Sequence, residues 1–246
     1  RLDGVEVHYC GLPYSLTTMK LLQFILVLIS VLFSVAPVFA QTTWNSEDYL
    51  TWTADRALAV GKSTRENGKA GGSFDLRIIS TNKAINYRLR ATLMTPEVIR
   101  ANARYVQLRD RLTDEQTRQL VRDADGAGDI VIQIEVDPNE GSGVVPLDWR
   151  AFLQPKGLKP GAEGAIAGVK APRLRNSPVF QGVFGRNYEY DLFWVSFPLV
   201  DENKKPLIAP QSTEIQLVVG IYRSEGRISW KMPDSLRQKI ISLSKT

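Results

Sequence analysis

Apolar and polar residues alternate with a period of two in several segments of this chain, and the longest interruption, after Leu93, switches to helical spacing. Phe74, Leu76 and Ile78 alternate with Asp75 and Arg77, and Ile85, Tyr87, Leu89, Ala91 and Leu93 alternate with Asn86, Arg88 and Arg90. The polar run Ser80-Thr81-Asn82-Lys83 between them predicts a hairpin of half-buried antiparallel strands with a basic outer face. Ile130, Ile132, Ile134 and Val136 repeat the pattern, as do Ile215, Leu217, Val219 and Ile221. Leu147 to Phe152 predicts a further strand. Tyr188 to Leu199 is apolar on both faces from Phe193 onward, which predicts a central strand. Ile228 and Trp230 follow a turn at Ser224 to Gly226.

The helical interval begins at Thr95-Pro96-Glu97. Threonine caps, proline fits the first helical position, and glutamate meets the positive end of the helix dipole. Val98, Ala101, Tyr105, Leu108 and Leu112 then recur at helical spacing. Thr113-Asp-Glu-Gln116 is a capping box for a second helix ending near Gly126. Two helices so tightly joined predict an antiparallel hairpin at about 95–125 lying on a sheet face. Asp234 caps a short amphipathic helix carrying Leu236, Ile240 and Ile241, within 233–246. Upstream, Ser46 starts a short helix with Leu50, Ala54, Ala57 and Leu58 on one face, and 61–73 reads as a polar, Gly-rich linker. The fold class predicted is α+β, mainly antiparallel β: a β-sandwich-like domain over 73–232 with an inserted helical hairpin. Residues 41–72 are its lead-in and linker.

The front of the chain carries a different message. Met19-Lys20 precedes a stretch from Phe24 to Ala36 that holds no charge, followed by Pro37 and Val38-Phe39-Ala40. A basic start, an apolar run shorter than the ~20 residues of a membrane helix, and a small-x-small exit predict a signal peptide at 19–40. Residues 1–18 do not resemble a basic leader and are expected to lie outside the native protein. If the leader is not removed it becomes an anchor, the only membrane contact expected.

Composition narrows the chemistry. The net charge is +5, and removing 1–40 takes Arg1, Lys20, Asp3 and Glu6 alike, so the mild basic excess remains. His8 is the only histidine and Cys10 the only cysteine. The body after Ala40 therefore has no Ser-His-Asp triad, no disulfide, and no zinc or haem site built on His or Cys. No Asn-x-Ser/Thr acceptor with a permitted middle residue occurs. Together these predict an exported bacterial protein, periplasmic or extracellular.

Local motifs are sparse. Gly61-Lys62-Ser63 lacks the upstream glycine of a phosphate loop, since Arg56 stands there. Ser80 and Ser242 each precede a lysine by three residues, at a frequency chance supplies. Asp137, Asn139 and Asp148 form a calcium-loop echo in which hard oxygens could wrap the ion. Ser142 stands where the sharp turn wants glycine. Residues 156–178 carry Lys156, Lys159, Lys170, Arg173 and Arg175 against Glu163 alone. A long basic segment of this kind is the candidate contact surface for an acidic partner: an unknown envelope protein, an anionic polymer or lipid headgroups. Nucleic acid is not expected, because no clean basic stripe is present. The function predicted is a non-enzymatic binding or scaffolding domain. The alternative is a carboxylate-dependent hydrolase of cell-wall or other polysaccharide, drawing on Asp129, Glu135, Asp137, Glu140, Glu189 or Asp191.

Overall fold

The computed structural model describes residues 47–71, 86–139, 144–158, 164–183 and 191–243. The chain divides into Arg1–Thr43 and Trp44–Thr246, and every described residue belongs to the second unit. The leader, the strand predicted at 74–78, the turn at 80–83, Lys159, Glu140 and Glu189 lie outside the described residues. Among the described residues, no helix is long and apolar enough to cross a membrane.

A 3-10 turn, Glu47–Thr51, leads to α1 (Ala54–Gly61), β1 (Arg65–Ala70), β2 (Tyr87–Leu93), α2 (Pro96–Asp110), α3 (Asp114–Asp125), β3 (Ile130–Pro138) and β4 (Arg150–Pro155). Then come β5 (Ile166–Ala167), β6 (Val169–Lys170), a 3-10 turn at Pro172–Asn176, α4 (Pro178–Gln181), β7 (Asp191–Phe197), β8 (Glu214–Ile221), β9 (Ser224–Lys231) and α5 (Asp234–Leu243).

All nine strands join one antiparallel sheet in the order β5-β4-β8-β9-β1-β2-β3-β7-β6. The two ends of that order are consecutive in the chain. Ile166 and Ala167 pair with Leu153 and Phe152 of β4, while Val169 and Lys170 pair with Ser196 and Val195 of β7. Gly168 sits between them and donates its N–H to the Ala151 carbonyl at 2.9 Å. One five-residue segment thus bridges both edges, and the sheet is nearly barrel-like. Gly168 is required for close approach: a Cβ there would strike the side chains of Val195 and Phe197. Closing the edges removes the unpaired N–H and C=O groups that an open sheet presents.

The alternation read from the sequence sorts the two faces. Leu89, Ala91, Leu93, Ile132, Ile134, Val136, Leu217 and Val219 belong to one buried core inside the ring. Leu236 and Ile240 of α5 join the same core, so α5 stops the end at which β2 finishes and β3 begins. Outside the ring, Met94, Val131 and Trp194 pack with Val98, Ile99 and Ala103 of α2, Val121 of α3 and Phe180 of α4. The helical hairpin lies on the sheet as expected. Thr95 Oγ1 accepts the Val98 N–H at 3.3 Å. The capping box is complete, with the Gln116 N–H on Thr113 Oγ1 at 3.2 Å and the Thr113 N–H on Gln116 Oε1 at 2.8 Å.

Two expectations are corrected. Residues 65–70, expected within a linker, form a strand between β9 and β2, paired from Arg65↔Thr92 to Ala70↔Tyr87. Their inner positions include Gly68 and Ala70, too small to register as apolar periodicity, and the space is needed. A Cβ on Gly68 would lie 2.6 Å from Ile228 Cγ1. The lead-in helix is also two pieces. Thr53 restarts the chain as the cap of α1, accepting the Arg56 N–H at 3.3 Å.

Candidate functional site

The two ends of the ring differ in chemistry. At the end stopped by α5, a crevice of about 50 Å³ is lined by residues that include Met94, Ile99, Val131, Asp125, Asp129 and Lys239. Asp129 is tied down: its Oδ2 accepts the Leu199 N–H at 2.9 Å, and Lys239 Nζ donates to its carbonyl at 3.0 Å. Asp125, the last residue of α3, lies 3.8 Å from Arg100 Nη2. Burial pushes its carboxyl above the ordinary aspartate value, and Arg100 and Lys239 pull it partly back.

At the opposite end, β1, β3 and β8 finish while β2, β4, β7 and β9 begin. Here large apolar side chains stand in solvent. Leu147 is 93% exposed, Val144 81% and Tyr222 58%. Tyr222 sits in the β8–β9 turn with φ of 54°. Beneath them the end of the ring is filled by aromatic residues. Trp149 meets Phe193 edge-on at 4.8 Å between ring centroids, and the buried Tyr87 hydroxyl donates to the Val144 carbonyl at 3.4 Å. Burial raises the Tyr87 phenol pKa, and nearby Tyr222 adds to the shift. Lys170 binds this end together: its Nζ donates to the Leu147 carbonyl at 2.6 Å and lies 4.5 Å from the Trp149 ring centroid.

The described basic residues among those singled out in the sequence are not gathered onto one surface. Lys156 follows β4 at the α5 end and pairs with Glu214 at 2.7 Å. Lys170 is at the exposed end. Arg173 and Arg175 are exposed on the 3-10 turn between β6 and α4.

Of the calcium-loop residues, Asp137 Oδ2 lies 3.4 Å from Arg88 Nε. Asn139 donates its N–H to the Asn86 carbonyl at 3.0 Å, and Asp148 is exposed beside Trp149. Among the described residues no group of three or more His, Cys, Asp or Glu is placed to hold a metal ion.

The carboxylates of β3 face cations rather than one another. Glu135 is bonded to Arg65 and lies 3.9 Å from Arg90. Gly61-Lys62-Ser63 ends α1 instead of opening a helix, the reverse of a phosphate loop. Trp149, Trp194 and Trp230 are core residues, at most 6% exposed.

Val144, Leu147 and Tyr222 were not legible as site residues. Leu147, expected to open a strand, lies in the turn before β4; Val144-Val145-Pro146-Leu147 carries apolar side chains with no period after a Gly-rich loop, and that mismatch was the available signal.

No known protein family matches this chain, and no curated protein does so. Among solved structures, the chain is similar to a crystal structure of a protein of unknown function from Burkholderia pseudomallei K96243. The two are 12% identical over 77% of this chain and 88% of that one, with a TM-score of 0.37.

Proposed function

We propose that this protein is an exported, non-enzymatic binding or scaffolding module of the bacterial envelope or extracellular space, and that it meets its partner through the end of the ring at Val144, Leu147, Lys170 and Tyr222. The observation that carries the reading is the set of bare apolar side chains at that end, beside a lysine of the basic segment. Two aliphatic side chains and a tyrosine left in water at one end of the domain mark a contact surface. A sandwich-like flattening of the ring is part of the proposal, and its support is the alternating strand pattern of the sequence. Export rests on the leader and on a body without histidine or cysteine. The partner is an envelope protein or an anionic polymer or surface. Calcium at Asp137, Asn139 and Asp148 is a separate proposal, tested by calorimetric titration of the ion.

The test is affinity capture from an envelope extract with the protein as bait, beside the variant Val144→Glu/Leu147→Glu. A partner retained by the parent and lost by the variant supports the reading. Equal capture by both removes this end from the function.

One observation favours the hydrolase instead: Asp125, a carboxyl with a raised pKa, opens onto a crevice beside Asp129. Such a group suits a general acid. Polysaccharide turnover abolished by Asp125→Asn, with folding intact, would establish that reading and displace the first.

A further inference from the structure

We infer that the exposed end is a membrane-contact tip that seats reversibly in an anionic bilayer surface. This rests on the reading of that end as the contact surface and names what it contacts. It also departs from the expectation that only the leader would meet a membrane.

The first argument is shape. Leu147 and Val144 are 93% and 81% exposed, so they protrude from the end of the ring instead of lining a hollow. The second is residue type. Here the protruding side chains are aliphatic, as in segments that enter the acyl boundary of a bilayer. Tyr222 adds a ring with a polar tip, the kind of side chain that settles at headgroup level.

The third argument is charge. Lys69 is the penultimate residue of β1, Arg150 starts β4 and Arg223 follows Tyr222; all three are exposed at this end. None of them forms an ion pair with another described residue. Lys170 lies at this end as well, and Asp148 and Asp191 are exposed there too, so among the described residues the cationic excess is modest and the aliphatic side chains supply most of the binding. Burying one such side chain multiplies partitioning roughly tenfold to a hundredfold, and each cation near an anionic surface adds about fivefold. Two aliphatic side chains and a slight cationic excess give reversible association, in the range of a single acyl anchor.

The experiment uses the full chain with Cys10→Ser and an environment-sensitive fluorophore on Leu147→Cys. The comparison protein carries the fluorophore on Asn203→Cys, an exposed site in the turn beyond the far end of β7. Vesicles are phosphatidylcholine alone, or phosphatidylcholine and phosphatidylglycerol in equal parts. The expected result is a blue shift at 147, quenched by brominated acyl chains, strongest with phosphatidylglycerol and absent at 203. Arg150→Ser and Arg223→Ser each weaken it about fivefold.

No response at 147, or an equal response at 147 and 203, overturns the inference; the second pattern would mark adsorption through another part of the chain. If the fluorophore stays silent while Val144→Glu/Leu147→Glu loses a captured protein, the contact surface stands and the membrane falls. If both experiments are negative, both fall.

Discussion

One nitrogen of Arg65 bridges both carboxylate oxygens of Glu135, with Nη2 2.5 Å from Oε1 and 2.6 Å from Oε2. The bond spans β2, the strand that separates the two residues in the sheet, and Arg90 on β2 adds a second cation at 3.9 Å. Glu135 is largely withdrawn from water, its side chain only 8% exposed. Burial pushes its carboxyl above the ordinary glutamate value, while Arg65 and then Arg90 pull it back. The cations offset a desolvation cost that they do not fully cancel.

Arg65→Met should therefore cost about 3–5 kcal/mol at neutral pH, the range for removing one partner of a buried ion pair. The pH dependence has a definite sign. A carboxyl whose folded pKa exceeds its unfolded value favours folding at low pH, and that advantage is lost as pH rises from the ordinary glutamate value through the raised one. Without Arg65 the folded pKa of Glu135 rises further. The deficit of the variant should then be largest at neutral pH and shrink on acidification. Urea unfolding across pH measures it, and a pH-independent deficit would assign Arg65 a packing role only.

Gly168→Val should destabilise the protein by about 1–3 kcal/mol, because the new side chain must displace Val195 and Phe197 where the sheet closes on itself. Gly220→Ala is the control: a Cβ there meets nothing within 4 Å, and the change should stay within about 0.5 kcal/mol. Chemical denaturation reads both. Hydrogen exchange should also place the lost protection in β4 to β7, since the Gly168 N–H is what ties the seam to Ala151.

What was legible in the sequence followed apolar side-chain size. Leu89, Ile132, Leu217 and their alternating neighbours are large enough to define a face, and Thr95, Thr113 and Gln116 are local signals read within one turn of chain. β1 escaped because Gly68 and Ala70 fill its inner positions and Arg65 finds its partner on another strand, across β2. The closing strand escaped because it is five residues long and pairs with segments far away in the chain. The exposed end escaped for a third reason. Val145 and Val144 are adjacent and alike in sequence, yet one is 9% and the other 81% exposed, a difference set by where the loop lands. The α+β, antiparallel architecture was readable; the closure of the sheet is a long-range property that periodicity does not encode.

Ile240→Ala should cost about 2–5 kcal/mol, the range for emptying a fully buried aliphatic site. Ile240 is 0% exposed and shares the interior core with Leu236, so the void opens where α5 stops the ring. Ser242→Ala, on the exposed side of α5, should remain within about 0.5 kcal/mol. The same denaturation series separates them. A loss confined to α5 in hydrogen exchange, with global stability unchanged, would mean that the helix docks without contributing to the core.

Beneath α4, three side chains leave a polar atom without a hydrogen-bond partner: Thr92 Oγ1, Asn102 Oδ1 and Gln133 Oε1. The cause is visible in the geometry. Asn102 Nδ2 donates to the Val179 carbonyl at 3.0 Å and Gln133 Nε2 to the Phe180 carbonyl at 3.1 Å. Both amides spend a donor on a carbonyl of α4, and their oxygens find no donor. Thr92 stands opposite Gln133 in the β2–β3 pairing and is 1% exposed. A buried hydroxyl without a partner costs about 1–3 kcal/mol, whereas valine fills nearly the same space with no polar group to satisfy. Thr92→Val should therefore stabilise the protein by about 1 kcal/mol, against the usual direction of core substitutions. A denaturation midpoint that rises with an unchanged slope confirms it. A fall would mean that Thr92 is hydrogen-bonded in solution and helps to hold α4 against the sheet.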